Sequence, residues 1–283
     1  EISRDDVVDI AIRIAQRALE SVKHISLELG GKSPAVFLPS DDYSAAYPKI
    51  LSSIFFNAGQ TCTALSRLIV PRRDLARIES EFCELAAKLV GGDPTDPKTD
   101  IGPVSSKAQF EKIAEYVQAG IDEGARLVMG GVPTDMSRGY YVRPVVFSDV
   151  RNDMRIAREE IFGPILPILT MDGLPQMIRF VRADEKPLAL YLFTRSRAAQ
   201  REVLGSLSFG GGCVNDTIIH LATTEMGFGG VGASGMGAYH GRKSFDTFTH
   251  EKSVVHRGAF PDVDARYHPY TEKKEKLVRS LLH

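Results

Sequence analysis

The chain has 283 residues, of which 43% are hydrophobic and 25% charged, an ordinary globular composition that allows one large core or two modest ones. Its 35 basic and 36 acidic residues give a formal net charge of -1, so the composition offers no attraction for nucleic acid or an anionic membrane surface. No apolar run approaches the ~20 residues of a membrane span, and the sequence shows no secretory signal pattern.

Helical and strand-like apolar patterns alternate along most of the chain. Helices are predicted where apolar residues recur about every 3.6 positions, and strands where short apolar runs end at turn residues. The predicted helices are 5–21, 43–57, 74–89, 106–123, 172–182 and 198–206. The predicted strands are 24–29, 34–38, 68–70, 127–129, 142–147, 165–170 and 188–194. This alternation predicts an α/β fold with a twisted, mostly parallel sheet and helices on both faces.

Two of the predicted helices carry further local signals. Helix 43–57 is apolar on nearly every side, so we expect it to be buried. Helix 106–123 opens with Ser106 and has Gln109 three residues later, which is the pattern of a capping box. Its apolar stripe, which should face the core, consists of Phe110, Ile113, Val117 and Ile121.

The pattern changes after Gly210. Residues 209–237 are crowded with glycine and are predicted to form a structured loop. Residues 245–256 are rich in β-branched and aromatic side chains, which predicts an extended strand. A loop punctuated by proline and aspartate follows, and residues 271–282 are predicted to form a short charged helix.

The three cysteines indicate a reducing environment. Cys62, Cys83 and Cys213 are odd in number, and their spacing fits neither a disulfide framework nor a zinc site. The seven histidines show no metal-ligand spacing either. We therefore expect a cytoplasmic protein without a bound metal. Cys83 falls on the apolar stripe of helix 74–89 and should belong to the core, while Cys213 is predicted to be structural.

Cys62 is the candidate nucleophile. It ends the run FFNAGQTC at 55–62, directly after a Gly-Gln turn. Glycine lets the backbone come close to a reacting carbonyl, and a turn exposes N–H groups that can stabilise an oxyanion. The competing interpretation is that Cys62 is a small buried apolar residue, as free cysteines often are.

Glu28 is the candidate general base. It lies in LELGGK at 27–32, among apolar residues of a predicted strand. A buried carboxyl without a partner has a raised pKa, which suits proton transfer near neutral pH. The alternative is a strand-end carboxylate paired with Lys32. A thiol nucleophile together with a carboxylate base is suited to forming and hydrolysing an acyl thioester.

Two other motifs are ambiguous by themselves. The run GVGASG at 230–235 matches the dinucleotide-binding consensus, but it lacks the preceding strand and following helix, so a tight loop is predicted instead. The run EEIFGP at 159–164 is a charged turn before a strand, and its Phe162 could be a core residue or a stacking surface.

Four segments together resemble the aldehyde dehydrogenase superfamily. They occur in that family's order and spacing: LELGGKSP (27–34), FFNAGQTC (55–62), EEIFGP (159–164) and FGGVGASG (228–235). The resemblance runs from about Ile10 to the C-terminus. Residues 188–255 look most like the class 3 and coniferyl-aldehyde branch, whose members take medium-chain or aromatic aldehydes. The implied fold is that of the family's catalytic domain.

The resemblance implies a role for each matching position. Cys62 matches the nucleophile, and Glu28 matches the base that activates the deacylating water. Glu160 matches the carboxylate that binds the nicotinamide ribose, and Phe162 matches the ring beside it. The implied reaction oxidises an aldehyde substrate to a carboxylic acid through a cysteine thioester, with NAD or NADP as the cofactor.

Three further residues are carried over from the family's pattern. Asn57 and Gly59 match the motif around the nucleophile, and Asn215 lies in the region that walls the substrate funnel. Gly227 is a departure, because the family has proline at this position.

The resemblance also predicts a domain organisation. Residues 1–23 would be a helix left over from the family's cofactor-binding domain, and residues 24–242 the catalytic domain. Residues 243–257 would be an oligomerisation strand, because a late strand of the family crosses to another subunit, and residues 258–283 a C-terminal tail with a helix. We therefore expect a homo-oligomer. Most of the cofactor site would lie outside this chain, which alone should oxidise aldehydes slowly or not at all.

Two other functions stay open from the sequence. The pair of Cys62 and Glu28 could act as a cofactor-independent thiol esterase, because cleaving an activated ester needs no nicotinamide. Alternatively, the chain could be an inactive assembly module whose segment 245–256 pairs with a neighbour's sheet. Neither nucleic acid nor a membrane is expected as a partner.

Overall fold

The computed structural model describes residues 4–40, 42–258 and 262–282. The chain forms two compact units, the first ending at Phe248 and the second beginning at Thr249. The first unit contains all the predicted site residues.

Helices and strands alternate along the first unit. The helices are α1 (Arg4–Leu19), α2 (Tyr47–Phe55), α3 (Leu75–Ala86), α4 (Lys107–Asp122), α5 (Arg155–Arg158), α6 (Leu174–Ala183), α7 (Arg197–Ser206) and α8 (Gly241–Phe248). The strands are β1 (Leu27–Glu28), β2 (Pro34–Phe37), β3 (Arg67–Pro71), β4 (Arg126–Met129), β5 (Val145–Ser148), β6 (Ile165–Met171), β7 (Ala189–Phe193), β8 (Gly211–Val214) and β9 (Gly235–Met236).

Seven of these strands form one sheet in the order β4-β5-β6-β3-β2-β7-β8. Every neighbouring pair is parallel except β4 with β5. Strands β2, β5 and β7 are buried at every position, as expected of parallel strands covered on both faces. The predicted α/β fold, a mostly parallel sheet flanked by helices, is confirmed.

The other two strands form a small antiparallel sheet. β1 pairs with β9, so that Leu27 lies opposite Met236 and Glu28 lies opposite Gly235. This pairing holds the segment that carries Glu28 against the glycine-rich region predicted to be a loop. Residues 209–237 therefore form a structured region that includes both β8 and β9, and are not loop throughout.

Local chemistry sets where α2 begins. The prediction started this helix at residue 43, but it begins at Tyr47 with Pro48 in its first turn. Proline is favoured there because its missing N–H has no helical partner to lose. The helix is buried as predicted, through Tyr47, Ile50, Ser53, Ile54 and Phe55.

The start of α4 shows half of the predicted capping box. Ser106 Oγ accepts the Gln109 N–H at 3.2 Å, which confirms the N-cap. The second bond of a capping box, from the Ser106 N–H to Gln109 Oε1, is not found among the described residues, and Gln109 Nε2 donates to the backbone oxygens of Ile161 and Phe162. The predicted apolar stripe of α4 is buried except at Ile121, which is 38% exposed.

The predicted strand at 245–256, and with it the oligomerisation strand at 243–257, is wrong at its start. Residues up to Phe248 belong to α8, and residues 249–258 contain no strand. The predicted boundary at residue 242 thus falls inside a helix. The predicted leftover helix at 1–23 corresponds to α1, and its first three residues lie outside the described part of the chain.

Side-chain pairing explains why α8 is helical. Arg242 Nε lies 2.7 Å from Asp246 Oδ1, one helical turn along the chain. Ser244 Oγ accepts the His240 N–H at 2.8 Å where the helix begins. Such contacts between residues four apart stabilise a helix and have no counterpart in an extended strand.

The described residues of the second unit contain a short 3-10 helix at Asp264–Arg266 and one α-helix, α9 (Glu272–Leu281). Thr271 Oγ1 accepts the Lys274 N–H at 3.4 Å and caps this helix. The helix agrees with the charged helix predicted at 271–282.

Candidate active site

The sheet order brings three sequence motifs together. Glu28 precedes β2, Cys62 precedes β3 and Glu160 precedes β6, and these strands are neighbours in the order β6-β3-β2. Because the three strands are parallel, the segments that lead into them meet at one edge of the sheet. The fold thus collects residues that are widely separated in sequence.

The turn before Cys62 depends on left-handed backbone. Asn57, Ala58 and Gly59 have φ of 51°, 53° and 74°, so the chain reverses sharply after α2. Asn57 Nδ2 donates to the Gln60 carbonyl at 3.0 Å, and Gln60 Nε2 donates back to the Asn57 carbonyl at 3.1 Å. Asn57 therefore stabilises the turn, consistent with the tolerance of asparagine for this conformation.

Gly59 is required by space as well as by conformation. A Cβ at this position would lie 2.3 Å from the Gly163 carbonyl oxygen, which is far inside van der Waals contact. The turn that precedes Cys62 can therefore pack on the turn after Glu160 only because position 59 has no side chain.

Glu28 has the properties of a general base. Its Oε1 is buried, and none of the described residues forms a hydrogen bond to it. Burial raises the pKa of Glu28 from 4.5 to about 7, because the ionised form loses hydration. The carboxyl can therefore bind or release a proton near neutral pH.

Cys62 is half-buried and rests as a neutral thiol. Burial raises the pKa of its thiol, and the carboxylates of Glu28 and Glu160 raise it further because they disfavour a second negative charge. Both carboxylates are therefore near enough to the sulfur for their charges to act on it. The structure therefore brings together the predicted nucleophile, the predicted base and the predicted ribose ligand.

Glu160 and Phe162 lie on the turn before β6. Glu160 Oε2 accepts the Gly31 N–H at 3.1 Å. Phe162 has φ of 59° and is 39% exposed, so its ring is presented to solvent and is not part of the core. Gln109 Nε2 holds this turn by donating to the Ile161 and Phe162 carbonyls at 3.1 and 2.8 Å.

A carboxylate beside an exposed ring fits the sugar and base of a nicotinamide cofactor. The carboxylate of Glu160 can accept bonds from ribose hydroxyls, and the ring of Phe162 offers an apolar face. The chemistry of these two residues thus agrees with the roles that the resemblance implied.

Lys32 is a buried site residue to which sequence analysis assigned no role of its own. It is 4% exposed, and its Nζ donates to the Glu159 carbonyl at 2.8 Å. Burial, and next the Arg67 guanidinium, lower the pKa of Lys32 to about 7. The alternative pairing of Glu28 with Lys32 is not found among the described residues. The sequence signal that could have indicated the burial of Lys32 was its position between two glycines and a fully apolar strand.

Two tyrosines also belong to the surroundings of Cys62. Tyr191 OH donates at 2.6 Å to the carbonyl of Thr63, the residue directly after Cys62. Burial raises the pKa of Tyr239, and the nearby charges of Glu28 and Cys62 raise it further. No local sequence signal pointed to either tyrosine, because each reaches the site through tertiary packing.

Asn215 has a structural role in this fold. Its Oδ1 accepts the Thr194 N–H at 2.8 Å, and its Nδ2 donates to the Thr194 carbonyl at 3.0 Å. The side chain therefore ties the end of β8 to the end of β7. Its predicted place in a substrate funnel stays a prediction.

The other two cysteines differ from Cys62 in their surroundings. Burial raises the pKa of Cys83 to about 11, and its side chain packs against the core as predicted. Cys213 Sγ lies 3.5 Å from His220 Nδ1, and burial raises its pKa as well. A carboxylate also raises the pKa of each of these thiols, Glu79 for Cys83 and Asp216 for Cys213. Unlike Glu28, these two carboxylates form ion pairs, Glu79 with Arg126 and Asp216 with Lys49.

The run GVGASG at 230–235 forms a tight turn, as predicted. Gly232 bridges to Gly235, and Ser234 Oγ accepts the Val231 N–H at 2.9 Å. The next helix, α8, begins only at residue 241.

Residues 4–40, 42–258 and 262–282 contain neither a membrane-spanning helix nor a cluster of metal ligands. None of the helices there combines the length and apolar character that crossing a bilayer requires. Within the same described ranges, no group of three or more histidine, cysteine, aspartate or glutamate side chains could hold a metal ion.

Comparison with known proteins places this geometry in a family. Residues 8–254 match the description "Aldehyde dehydrogenase family". The 4,4'-diaponeurosporen-aldehyde dehydrogenase of Staphylococcus aureus is 36% identical over 263 residues, which cover 92% of this chain and 55% of the relative. A probable coniferyl aldehyde dehydrogenase of Pseudomonas aeruginosa is 34% identical and covers 95% and 55%. The chain spans about half the length of the curated relatives it matches.

Solved structures of aldehyde dehydrogenases are also similar to this chain. Staphylococcus aureus AldH in its substrate-bound state has a TM-score of 0.88 and 34% identity, covering 98% of this chain and 59% of that one. A Pseudomonas syringae aldehyde dehydrogenase in complex with NAD+ and octanal has a TM-score of 0.79 and 35% identity, covering 85% and 50%. Human aldehyde dehydrogenase family 3 member B1 is 34% identical over 92% of this chain and 54% of its own length. The predicted resemblance, including the class 3 and coniferyl branch, is confirmed, and the chain belongs to the aldehyde dehydrogenase family.

Proposed function

We propose that this chain is the catalytic part of an NAD(P)-dependent aldehyde dehydrogenase, with Cys62 as nucleophile and Glu28 as general base. The observation that carries the proposal is the proximity of the Cys62 thiol to a buried Glu28 carboxyl whose pKa is raised to about 7. A carboxyl near the sulfur that exchanges a proton near neutral pH is suited to activate the water that hydrolyses a thioester on Cys62.

The proposed sequence begins when the Cys62 thiol releases its proton to solvent water. The thiolate then attacks the aldehyde carbon, so that a carbon–sulfur bond forms while the π bond of the carbonyl breaks and leaves an oxyanion. The backbone N–H of Cys62 is suited to donate to that oxygen. The chemistry that NAD+ or NADP+ supplies when bound is acceptance of hydride from this carbon, which leaves a thioester on Cys62. Glu160 and Phe162 would hold the cofactor's ribose and the ring beside it.

Hydrolysis of the thioester is the step assigned to Glu28. The carboxylate takes a proton from water, the hydroxide adds to the acyl carbon, and the bond to sulfur breaks. The products are a carboxylic acid and the Cys62 thiolate, and the proton held by Glu28 returns to the sulfur or to solvent. Near pH 7 the carboxyl is ionised in a substantial fraction of molecules, as this role requires.

A chromogenic ester tests the two roles without any cofactor. With p-nitrophenyl acetate we expect a rapid burst of nitrophenolate as Cys62 becomes acetylated, followed by slower turnover limited by hydrolysis. Cys62→Ser should show no burst. Glu28→Gln should show the same burst as the wild type, followed by a turnover rate that is at least tenfold lower. Equal rates for the wild type and Cys62→Ser would contradict the assignment of the nucleophile.

The ester assay, together with an aldehyde assay and the structure of residues 245–256, distinguishes the two alternative functions from the proposed one. A cofactor-independent thiol esterase would show the ester reaction but form no reduced cofactor from an aldehyde, even with the rest of the family's length restored. The inactive assembly module was motivated by a strand at 245–256, and the first part of that segment is helical. A homo-oligomer stays part of the proposal, and light scattering of the chain at several concentrations checks it.

A further inference from the structure

The segment that carries Glu28 is held from two sides. We call residues 28–32 the base segment and residues 159–164 the Glu160 segment. On one side β9 holds the base segment, through pairing of Glu28 with Gly235 and a bond from the Leu29 N–H to the Ser234 carbonyl at 3.1 Å. The other side faces the Glu160 segment, more than a hundred residues along the chain.

Two hydrogen bonds join the base segment to the Glu160 segment. The Gly31 N–H donates to Glu160 Oε2 at 3.1 Å, and Lys32 Nζ donates to the Glu159 carbonyl at 2.8 Å. Both involve a charged group, and such bonds are stronger than bonds between neutral partners.

The absence of a side chain at Gly30 allows this approach. A Cβ there would lie 2.8 Å from Glu160 Oε1 and 2.9 Å from Oε2. Gly30 and Gly31 also have φ of 97° and 143°, which other residues rarely adopt. The carboxylate therefore occupies the space in which the base segment would otherwise carry a side chain.

The Glu160 segment is itself fixed by the rest of the fold. Gln109 Nε2 donates to the Ile161 and Phe162 carbonyls. The Glu159 carboxylate accepts from Tyr116 OH at 2.7 Å. These hydrogen bonds fix the position of Glu160, and the bond from the Gly31 N–H to Glu160 in turn restricts the motion of the base segment.

We propose that Glu160 is also a positioning residue for the general base, which it holds in place through the Gly31 N–H. This role rests on the proposed function of Glu28 and adds to the cofactor role of Glu160. It makes the geometry of hydrolysis depend on a carboxylate that does not touch the thioester. The Lys32 bond to Glu159 is a second tether of the same segment.

Hydrogen exchange at the base segment tests the tether directly. In the 283-residue chain without cofactor, Glu160→Ala should accelerate exchange in the peptide covering residues 27–33 about tenfold, because the Gly31 amide loses its acceptor. Glu160→Asp keeps the charge but is one methylene shorter, so it should behave the same way. Glu160→Gln keeps an acceptor oxygen and should restore most of the protection.

Glu159→Gln is the matched control. It removes a charge one residue away, keeps an oxygen that can accept the Tyr116 O–H, and leaves the Lys32 bond intact, because Lys32 bonds to the backbone oxygen. Exchange at 27–33 should stay at the wild-type rate. Wild-type exchange in both Glu160→Ala and Glu160→Asp would overturn the tether, and if Glu160→Ala fails to fold, Glu160→Asp decides alone.

The ester reaction separates this inference from the proposed function. Glu160→Ala should keep the burst, because Cys62 stays reactive, and lose about tenfold of the turnover, with Glu160→Gln in between. Turnover in Glu160→Ala equal to that of Glu159→Gln would overturn the positioning role. If Glu28→Gln itself leaves turnover unchanged, the proposed function of Glu28 fails, whatever the exchange experiment shows.

Discussion

Two ionisable groups near the amino ends of β3 and β2 have opposite surroundings. Arg67, the first residue of β3, is fully buried, forms an ion pair with Asp184 and stacks over the Phe180 ring. Glu28 is the last residue of β1, on the segment that leads into β2, and its Oε1 is buried, but none of the described residues forms an ion pair with it. One charge has a permanent partner, and the other has none.

The difference separates structural from chemical use of a charge. A buried charge with a fixed partner stabilises one arrangement of the chain, because removing the partner leaves the other charge uncompensated. A buried acid without a partner costs stability when ionised, and its shifted pKa makes it available for proton transfer. We therefore expect substitutions at Arg67 to change stability and substitutions at Glu28 to change chemistry.

The largest expected effect on stability is at Arg67. Arg67→Met removes the cation and leaves Asp184 without its partner in a largely buried position, so the free energy of unfolding should fall by about 3 to 5 kcal/mol. Urea denaturation followed by circular dichroism measures this change. A loss below about 1 kcal/mol would show that the pair contributes no more than an exposed one.

The next effect concerns the pH dependence of ester turnover. Because hydrolysis needs the ionised carboxylate, the turnover rate should rise with pH through the pKa of Glu28, at about 7. In Glu28→Gln the rate should be about a hundredfold lower at pH 8 and should lose this inflection, as measured from steady-state nitrophenolate release. An unchanged inflection in Glu28→Gln would assign the proton transfer to another group.

A smaller effect should appear in the stability of Glu28→Gln. Glu28 has a higher pKa in the folded chain than its ordinary 4.5, so the stability it contributes is present below pH 4.5 and is lost as the pH rises through about 7. The neutral glutamine avoids that loss. After discounting for partial exposure, Glu28→Gln should gain roughly 1 kcal/mol over the wild type at pH 8 and nothing at pH 4. Denaturation curves at the two pH values check the sign.

The smallest effect is expected at an exposed pair that matches Arg67 and Asp184 in chemistry. Arg72 Nε lies 2.8 Å from Asp172 Oδ1, but both side chains are more than half exposed. Arg72→Met should therefore change the free energy of unfolding by less than about 0.5 kcal/mol. A loss as large as that of Arg67→Met would remove burial as the cause of the difference.

The sequence was sufficient for six of the seven strands of the large sheet, all but β8, and for the motifs. The central strands β2 and β7 are continuous apolar runs, which is the pattern of a parallel strand covered on both faces. The motifs around Glu28, Cys62 and Glu160 have fixed local spacing, and parallel topology brings their ends together. Local pattern singled out Cys62 and Glu28, whereas the role of Glu160 came only from the family resemblance.

The sequence was insufficient where tertiary partners decide. Lys32 bonds to Glu159 and Arg67 pairs with Asp184, in both cases across more than a hundred residues, so periodicity could not indicate either contact. The strand prediction for residues 245–256 failed for a different reason. Its β-branched and aromatic residues favour a strand, but the pairing of Arg242 with Asp246 favours the helix that forms.

The central claim is that the Cys62 sulfur carries the acyl group and that the neighbouring Glu28 carboxyl promotes its hydrolysis. Mass spectrometry of the intact chain, quenched at intervals after mixing with p-nitrophenyl acetate, follows that acyl group directly. We predict a short-lived single acetyl adduct in the wild type, a long-lived adduct mapped to Cys62 in Glu28→Gln, and none in Cys62→Ser. An adduct that survives Cys62→Ser, or one that Glu28→Gln clears as fast as the wild type, would contradict the account.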